Sequence, residues 1–271
     1  MQLAWLTDIH LNFVSPPHLE SFIASLRRCL ADRFIITGDI GDAPRVAWYL
    51  KQLADAVQRP IYFVLGNHDY YHGSFRAVGD ILARLTAEIP ELIWLTRQGI
   101  IELAPGIGLV GHDSWADGRC GSYDTSPVML NDFLLIQDLA GLKKAERLRR
   151  LNALGDAAAA HFRRHLPDAL AGCRQVIVAT HVPPWREACW HQGRISNDDY
   201  LPHYACQAAG DALLEIAQSA PQTETLVLCG HTHEAREAQI LPNLRVLVGG
   251  AEYGMPGIQR ILDLETIITR P

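Results

Sequence analysis

The chain has few of the features that mark secreted or membrane proteins. Its six cysteines are scattered without a C-x-x-C pair, so we expect reduced thiols rather than a disulfide framework. No stretch approaches the ~18 uninterrupted apolar residues that a membrane helix needs. The apolar N-terminal run also lacks the basic flank and the small-residue cleavage site of a signal peptide. We therefore expect a soluble, cytoplasmic protein with no membrane partner.

Positive charge is also scarce. The formal net charge is −6, so the chain lacks the broad positive field of proteins that bind nucleic acid polymers, and we do not expect such a partner. A hydrophobic content of 48% with 20% charged residues excludes a disordered or fibrous class. No repeat, low-complexity stretch or Pro/Gly-rich linker divides the chain. We predict a single domain over residues 1–271.

The first quarter of the chain alternates between strand and helix patterns. Apolar runs at 3–7, 34–37 and 61–65 are separated by amphipathic helical patterns at 18–32 and 44–58. This order predicts parallel neighbouring strands joined by right-handed crossovers. Because the carboxyl ends of parallel strands lie at one edge of a sheet, the residues that follow these strands should meet there.

The remaining chain continues in the same α/β style. Helices are predicted at 79–89 and 208–219, and strands at 93–95, 99–103, 108–111, 175–180, 225–229, 245–248 and 259–264. Segments at about 113–170 and 187–204 are predicted to be caps or inserts, the second being long enough to bind substrate. Residues 131–170 read as long, helical and charged. Their basic residues form either a solvated helix face or a cap that meets a phosphorylated substrate: Lys143, Lys144, Arg147, Arg149 and Arg150.

Metal-binding side chains follow five of the apolar runs. The donors are Asp8 and His10, Asp39, Asn67 and His68, His181, and His231 and His233. Oxygen and imidazole donors without cysteine suit Mn²⁺, Fe or Zn²⁺ rather than a thiolate-bound structural zinc. A lone histidine at a strand end is usually an ordinary polar residue. This many donors, however, exceed the needs of one four- to six-coordinate ion and favour two metals that share a bridging carboxylate.

Together these blocks resemble the pattern of the calcineurin-like metallophosphoesterases. That pattern is D-x-H, G-D-x-x-D, G-N-H-D/E, H and G-H-x-H, and this chain matches it in order at residues 8–10, 38–42, 66–69, 181 and 230–233. The resemblance spans residues 8 to 233. It implies a four-layer α/β/β/α sandwich, in which two mixed β-sheets lie face to face with helices outside.

The resemblance also implies a role for each matched residue. Three residues would hold the first metal (Asp8, His10 and His233), three the second (Asn67, His181 and His231), and Asp39 would bridge the two. His68 would protonate the leaving oxygen or stabilise phosphoryl charge, Asp69 would orient His68, and Asp42 would support the site from behind. His112 and Trp185 are weak candidates for substrate contact, with an ordinary polar or packing role as the alternative.

Metal-dependent hydrolysis of small phosphoesters is the function that this resemblance implies. Two divalent ions lower the pKa of a bridging water toward ~7 and neutralise charge that builds on the phosphoryl group. Asp69 stands where phosphoprotein phosphatases usually have Glu, and Ala43-Pro44 follow Asp42 where they have Arg-Gly. We therefore favour a phosphodiesterase with a small or nucleotide-like substrate. The alternatives are a phosphomonoesterase of the same fold and an idle metal-binding scaffold.

Overall fold

The computed structural model describes residues 1–266 of the chain. Its strands are β1 (Gln2–Leu6), β2 (Arg33–Thr37), β3 (Ile61–Val64), β4 (Leu92–Trp94), β5 (Ile101–Ala104), β6 (Ile107–Gly111), β7 (Gln175–Ala179), β8 (Trp190–His191), β9 (Arg194–Ile195), β10 (Glu224–Cys229), β11 (Arg236–Leu241), β12 (Leu244–Val248) and β13 (Arg260–Asp263). Its α-helices are α1 (Pro16–Arg28), α2 (Val46–Val57), α3 (Phe75–Glu88), α4 (Asp132–Leu135), α5 (Lys144–Gly172), α6 (Leu201–Tyr204) and α7 (Gln207–Ser219).

Two mixed sheets form the centre of the molecule. The first sheet has the order β13-β1-β2-β3-β4, in which only β13 is antiparallel to its neighbour. The second has the order β11-β12-β10-β7-β6-β5, with β11 and β5 as antiparallel edges around four parallel strands. The predicted parallel order of the first three strands is confirmed.

The sheets face each other across an apolar core. Trp5, Ile35 and Tyr62 of the first sheet and Ile177 and Leu228 of the second belong to this buried layer. Successive strand residues point to opposite faces, so the neighbouring residues enter the outer cores. Helices α1, α2 and α3 cover the first sheet, and α5 and α7 cover the second. The predicted four-layer α/β/β/α sandwich is confirmed.

The amphipathic pattern explains how the covering helices form. In α2, Leu50, Leu53, Ala54 and Val57 are buried at the three- and four-residue spacing that lines one helix face. The helix ends where Gln58 adopts a left-handed conformation, with φ of 49°. Burial of one of these leucine or valine side chains stabilises the fold by roughly 1.5–3 kcal/mol.

The predicted helix over residues 131–170 begins too early. The structure has the short helix α4 at its start, then an irregular stretch, and α5 starts only at Lys144. Ile136 and Leu139 in the irregular stretch are buried in the core beneath the first sheet. A capping box between Lys143 and Glu146 then starts α5, because the Glu146 carboxylate accepts a hydrogen bond from the Lys143 backbone N–H.

The edge strand β11 was missed by the sequence analysis. Its side chains are mostly exposed or half-buried, so the segment lacks an apolar run. The strand is recognisable only as the partner of β12 across the turn at Pro242 and Asn243. The six cysteines are free thiols, as predicted. Over residues 1–266, none of the helices combines the length and apolarity required to cross a bilayer.

Candidate metal centre

The chain turns sharply where the predicted donors follow their strands. Five of these residues adopt a left-handed backbone conformation, with φ between 41° and 74°: Asp8, His10, Asp39, His231 and His233. Such a conformation costs a non-glycine residue roughly 1–2 kcal/mol. Strain of this kind persists where surrounding structure enforces it, and it clusters at functional sites.

Motif glycines let two carboxylates approach the backbone. A Cβ atom on Gly66 would overlap the Asp39 carboxylate, and one on Gly230 would overlap the Asp8 carboxylate and the Thr7 hydroxyl. Only glycine therefore allows both carboxylates to occupy their positions beside the neighbouring strand ends.

The first donor group contains Asp8, His10, Asp39 and His233, whose ligand atoms all lie within 4.8 Å of one another. Nε2 of His10 is 3.0 Å from Nε2 of His233 and 3.7 Å from Oδ2 of Asp39. Nε2 of His233 is 3.4 Å from Oδ1 of Asp8. The backbone N–H of His231 donates to both Asp8 oxygens, at 3.0 and 3.1 Å, and so fixes that carboxylate.

The second donor group surrounds the Asn67 side-chain oxygen. Oδ1 of Asn67 is 3.1 Å from Nε2 of His181 and 3.1 Å from Nδ1 of His231. Nε2 of His181 is also 3.5 Å from Oδ1 of Asp39. Asp39 thus contacts the first group through Oδ2 and the second through Oδ1. The structure brings all seven predicted metal ligands together in two groups that share Asp39.

The donor chemistry of the second group fits a cation. Nδ1 of His181 donates to the Thr37 carbonyl at 2.8 Å, and Nε2 of His231 donates to the His203 carbonyl at 2.9 Å. The nitrogens that face Asn67 are therefore unprotonated in the neutral rings, and both carry lone pairs. Three hydrogen-bond acceptors converge with no donor between them. A divalent ion bound between these three atoms would relieve their mutual repulsion.

Burial lowers the pKa of His10, His181 and His231 and so keeps these three imidazoles neutral. It lowers the pKa of His10 to about 3 and that of His231 to about 4. Burial and the nearby Asp8 and Asp69 carboxylates raise the pKa of Asp39 well above its ordinary value. Burial would also raise the pKa of Asp8, but its hydrogen bond with His233 and the surrounding imidazoles lower it overall. Neutral imidazoles beside crowded carboxylates match the requirements of a metal site.

His68 lies in the cavity beside these groups, but the predicted orientation by Asp69 is wrong. The Asp69 carboxylate accepts hydrogen bonds from the backbone N–H groups of Ile40, Gly41 and Gly66, at 2.9, 2.8 and 2.9 Å. Asp69 therefore ties the loop after β2 to the loop after β3. His68 instead stacks on Tyr71, with ring centroids 4.2 Å apart, and its Nδ1 is buried without a hydrogen-bond partner among residues 1–266.

Asp42, His112 and Trp185 lie away from the donors. Asp42 accepts from Nε of Arg45 at 3.3 Å near the start of α2, and its supporting role stays a prediction. His112 accepts from the Ser114 backbone N–H at 2.9 Å and packs beside Phe162 of α5. Trp185 packs against the core outside the second sheet. Neither His112 nor Trp185 lines the cavity, and substrate contact by either residue stays a prediction.

A cavity of about 540 Å³ opens over the two donor groups. Both segments predicted to be caps or inserts contribute to its walls, the first through residues 130–132 and the second through His191, Gln192 and Tyr204. None of its described lining residues is Lys or Arg. Three basic residues of α5 contact other groups: Lys144 donates to backbone carbonyls, Arg147 donates to the Tyr123 hydroxyl at 2.8 Å, and Arg150 pairs with Asp138 at 3.4 Å.

Several lining residues were missed by the sequence analysis. The lining residues without a predicted role include Tyr71, Asp132, Tyr204 and Tyr253. None follows an apolar run, so the strand-end rule could not find them. Asp113 does follow such a run and could have been found. Its buried carboxylate accepts from the Leu65 backbone N–H at 2.7 Å and from Nε1 of Trp94 at 2.9 Å, which fixes the end of β3.

Comparisons with known proteins agree with this architecture. A family model described as calcineurin-like phosphoesterase matches residues 1–235. Phosphopantetheinyl hydrolase from Mycobacterium tuberculosis has a similar structure, with a TM-score of 0.63 at 14% identity over 93% of this chain and 90% of that chain. A dimetal phosphatase from Danio rerio gives a TM-score of 0.54 at 13% identity over 92% of this chain and 87% of that chain. No curated protein sequence gives a significant match. At these identities the solved structures show the shared fold.

Proposed function

The chain belongs to the calcineurin-like phosphoesterase family, and from this premise we propose that it is a metal-dependent phosphoester hydrolase that prefers diesters. The proposal rests on the two donor groups that share Asp39 beneath an open cavity. Two divalent ions bound there would activate a water, bind phosphoryl oxygens and neutralise the charge of an in-line displacement.

Seven side chains are proposed to hold the metals. Asp8, His10 and His233 would bind the first ion, Asn67, His181 and His231 the second, and Asp39 both. The mixture of carboxylate, amide and imidazole donors accommodates Mn²⁺, Fe and Zn²⁺ alike. Metal identity in the cell would therefore follow availability as well as geometry.

His68 is proposed to act on the leaving group. It lines the cavity beside Asn67 and Asp39, and its backbone N–H donates to Oδ1 of Asp39 at 2.9 Å. Because Nδ1 is buried, Nε2 is the ring nitrogen available to a bound substrate. Burial and the neighbouring imidazoles lower the pKa of His68 to about 2, so the ring is neutral and can donate a hydrogen bond through its Nε2–H to the oxygen that leaves phosphorus.

The charge of the cavity favours diesters over monoesters. The described lining residues include the acidic Asp132 and Glu234 but no Lys or Arg. A monoester dianion would depend on the metals alone for neutralisation, whereas a diester carries only one negative charge. The side chains of Tyr71, Tyr204 and Tyr253 offer apolar ring faces to an uncharged esterified group, which suits a small or nucleotide-like substrate.

A chromogenic substrate panel tests this preference. Bis(p-nitrophenyl) phosphate and p-nitrophenyl phosphate would be compared on protein loaded with Mn²⁺, Fe²⁺ or Zn²⁺, with chelator-treated protein as the control. We expect kcat/KM for the diester to be at least about tenfold higher, and chelation to abolish turnover. Faster monoester hydrolysis would establish the phosphomonoesterase alternative. No turnover with any of these metals or substrates would favour the idle scaffold.

A further inference from the structure

We infer that Asp132 and Tyr71 form a clamp that turns the Asn67 side-chain oxygen toward the second metal, so that the first insert segment completes the metal centre. The clamp consists of the Asp132 carboxylate, the Tyr71 hydroxyl and the Asn67 amide. This inference rests on the proposed metal centre and assigns a positioning role to two residues outside the family motifs.

The hydrogen bonds of the clamp define the orientation of the amide. Oδ1 of Asp132 accepts from Nδ2 of Asn67 at 2.9 Å and from the Tyr71 hydroxyl at 2.7 Å. Asp132 is only 3% exposed and Asn67 only 6%, so water does not compete freely for these bonds. Oδ1 of Asp132 accepts both bonds, so the amide nitrogen of Asn67 faces Asp132. Its oxygen then faces the opposite way, toward His181 and His231.

Without a metal, the contacts with His181 and His231 taken alone would favour the opposite orientation of the amide. The bare nitrogens of His181 and His231 each lie 3.1 Å from the Asn67 oxygen, and an amide turned by half a rotation would donate N–H groups to both. That rotated amide would present donors to an incoming cation and could not bind it. The clamp opposes this rotation and keeps the Asn67 oxygen oriented toward the second metal site.

Backbone hydrogen bonds hold the clamp in place. The chain just after Tyr71 is joined to the Asp132 segment, because His72 N–H donates to the Leu135 carbonyl at 2.8 Å and Gln137 N–H donates to the Gly73 carbonyl at 2.9 Å. The Phe75 N–H also donates to Oδ2 of Asp138 at 2.8 Å. Asp132 is thus fixed relative to the loop that carries Asn67.

Tyr71 extends the clamp to His68. Its ring stacks on the His68 ring at an interplanar angle of 26°, while its hydroxyl bonds Asp132. Asp69 and Asp42, which were predicted to support the site, have other partners. The residue that positions His68 is therefore an aromatic neighbour, and the same residue contacts the metal-facing amide.

Metal titration of the Asp132→Ala variant tests the clamp. Metal-free wild-type and variant proteins would be titrated with Mn²⁺, and bound and free ion measured by electron paramagnetic resonance. We expect one class of site to keep its affinity and the other to weaken by about 10–100-fold. Tyr71→Phe should weaken the same class less, because it keeps the bond between Asp132 and Asn67.

Two matched variants distinguish loss of the Asn67 orientation from general loosening of the segment that carries Asp132. Asp138→Ala removes an anchor of the same segment without contacting Asn67, so both site classes should keep wild-type affinity. Asp132→Asn keeps an oxygen acceptor and should retain most of the affinity. Thermal unfolding in chelator would establish that each variant is folded. If Asp132→Ala does not fold, the metal titration of Tyr71→Phe tests the clamp instead.

The clamp is overturned if Asp132→Ala binds both ions as wild type does, or if Asp138→Ala weakens binding equally. The readout counts bound ions and needs no turnover. Wild-type protein that binds two ions but hydrolyses no phosphoester would refute the proposed function while leaving the clamp standing.

Discussion

At the scale of single residues, Asp39 joins the two donor groups. One of its oxygens lies 3.7 Å from the His10 imidazole and the other 3.5 Å from that of His181. Burial and neighbouring carboxylates raise its pKa, so its ionised form requires a nearby positive charge. We propose that the two metals supply that charge, which makes Asp39 the residue whose loss should disturb both sites.

Replacement of His68 should separate metal binding from turnover. His68→Ala removes the group proposed to act on the leaving oxygen but no proposed ligand, so we expect both ions to remain and kcat to fall by about 10²–10⁴-fold. Metal content by elemental analysis and steady-state hydrolysis of the diester measure the two effects. His112→Asn, which changes a histidine outside the cavity, serves as the matched control. Wild-type turnover in His68→Ala would refute the role of His68.

The sequence predicts the metal-binding residues well, but it does not predict the residues that position them. Asp8, Asp39, Asn67 and His231 follow apolar runs, and the geometry of parallel sheets requires such residues to converge. The role that the family resemblance implies for Asp69 is wrong, because a motif gives the residue types and not the direction in which a carboxylate points. In the 3₁₀ turn from His68 to Tyr70, the Asp69 carboxylate instead points back to backbone N–H groups. The direction in which the Asp69 carboxylate points is visible only in the three-dimensional structure.

At the scale of elements, the regular layers were predictable and the irregular segments were not. Strands β1, β2 and β3 and helix α2 follow from periodic burial, which a sequence displays directly. Strand β11 is solvent-facing at a sheet edge and has no such pattern. The segment before α5 holds Asp132 through long-range hydrogen bonds, and these leave no local signal.

The contact between β6 and α5 should make stability depend on pH. Burial lowers the pKa of His112 to about 4, and burial together with His112 and His165 lowers that of His161 to about 4. As pH falls below about 6.5, these histidines bind protons in the unfolded chain while they stay neutral in the folded protein. Protonation therefore favours the unfolded state, and the free energy of unfolding falls. The buried His112 contributes at most about 1.4 kcal/mol per pH unit between its two pKa values, and the more exposed His161 contributes less.

The His112→Asn variant isolates one part of this dependence. Asparagine keeps an acceptor for the Ser114 N–H but cannot titrate. Urea unfolding of metal-free protein at pH about 7 and about 5 should show a smaller loss of stability in the variant than in wild type. An equal loss in both proteins would mean that protonation of His112 does not oppose folding.

At the scale of the whole molecule, the facing sheets determine where chemistry occurs. The first sheet supplies Asp8, His10, Asp39 and Asn67 from the ends of β1, β2 and β3, and the second supplies the remaining ligands from the ends of β7 and β10. Neither sheet alone carries a complete donor group. We propose that this acidic chain binds its anionic substrate where the two sheets meet, with metals supplying the positive charge.

Stepwise reconstitution of metal-free wild-type protein tests the central claim most directly. Mn²⁺ would be added while bound ion and diester hydrolysis are measured on the same sample, with Asp39→Asn beside it. The account predicts two ions per chain, turnover that returns only with the second ion, and weakened binding of both ions in Asp39→Asn. Full turnover at one ion per chain, or two tightly bound ions in Asp39→Asn, would contradict it.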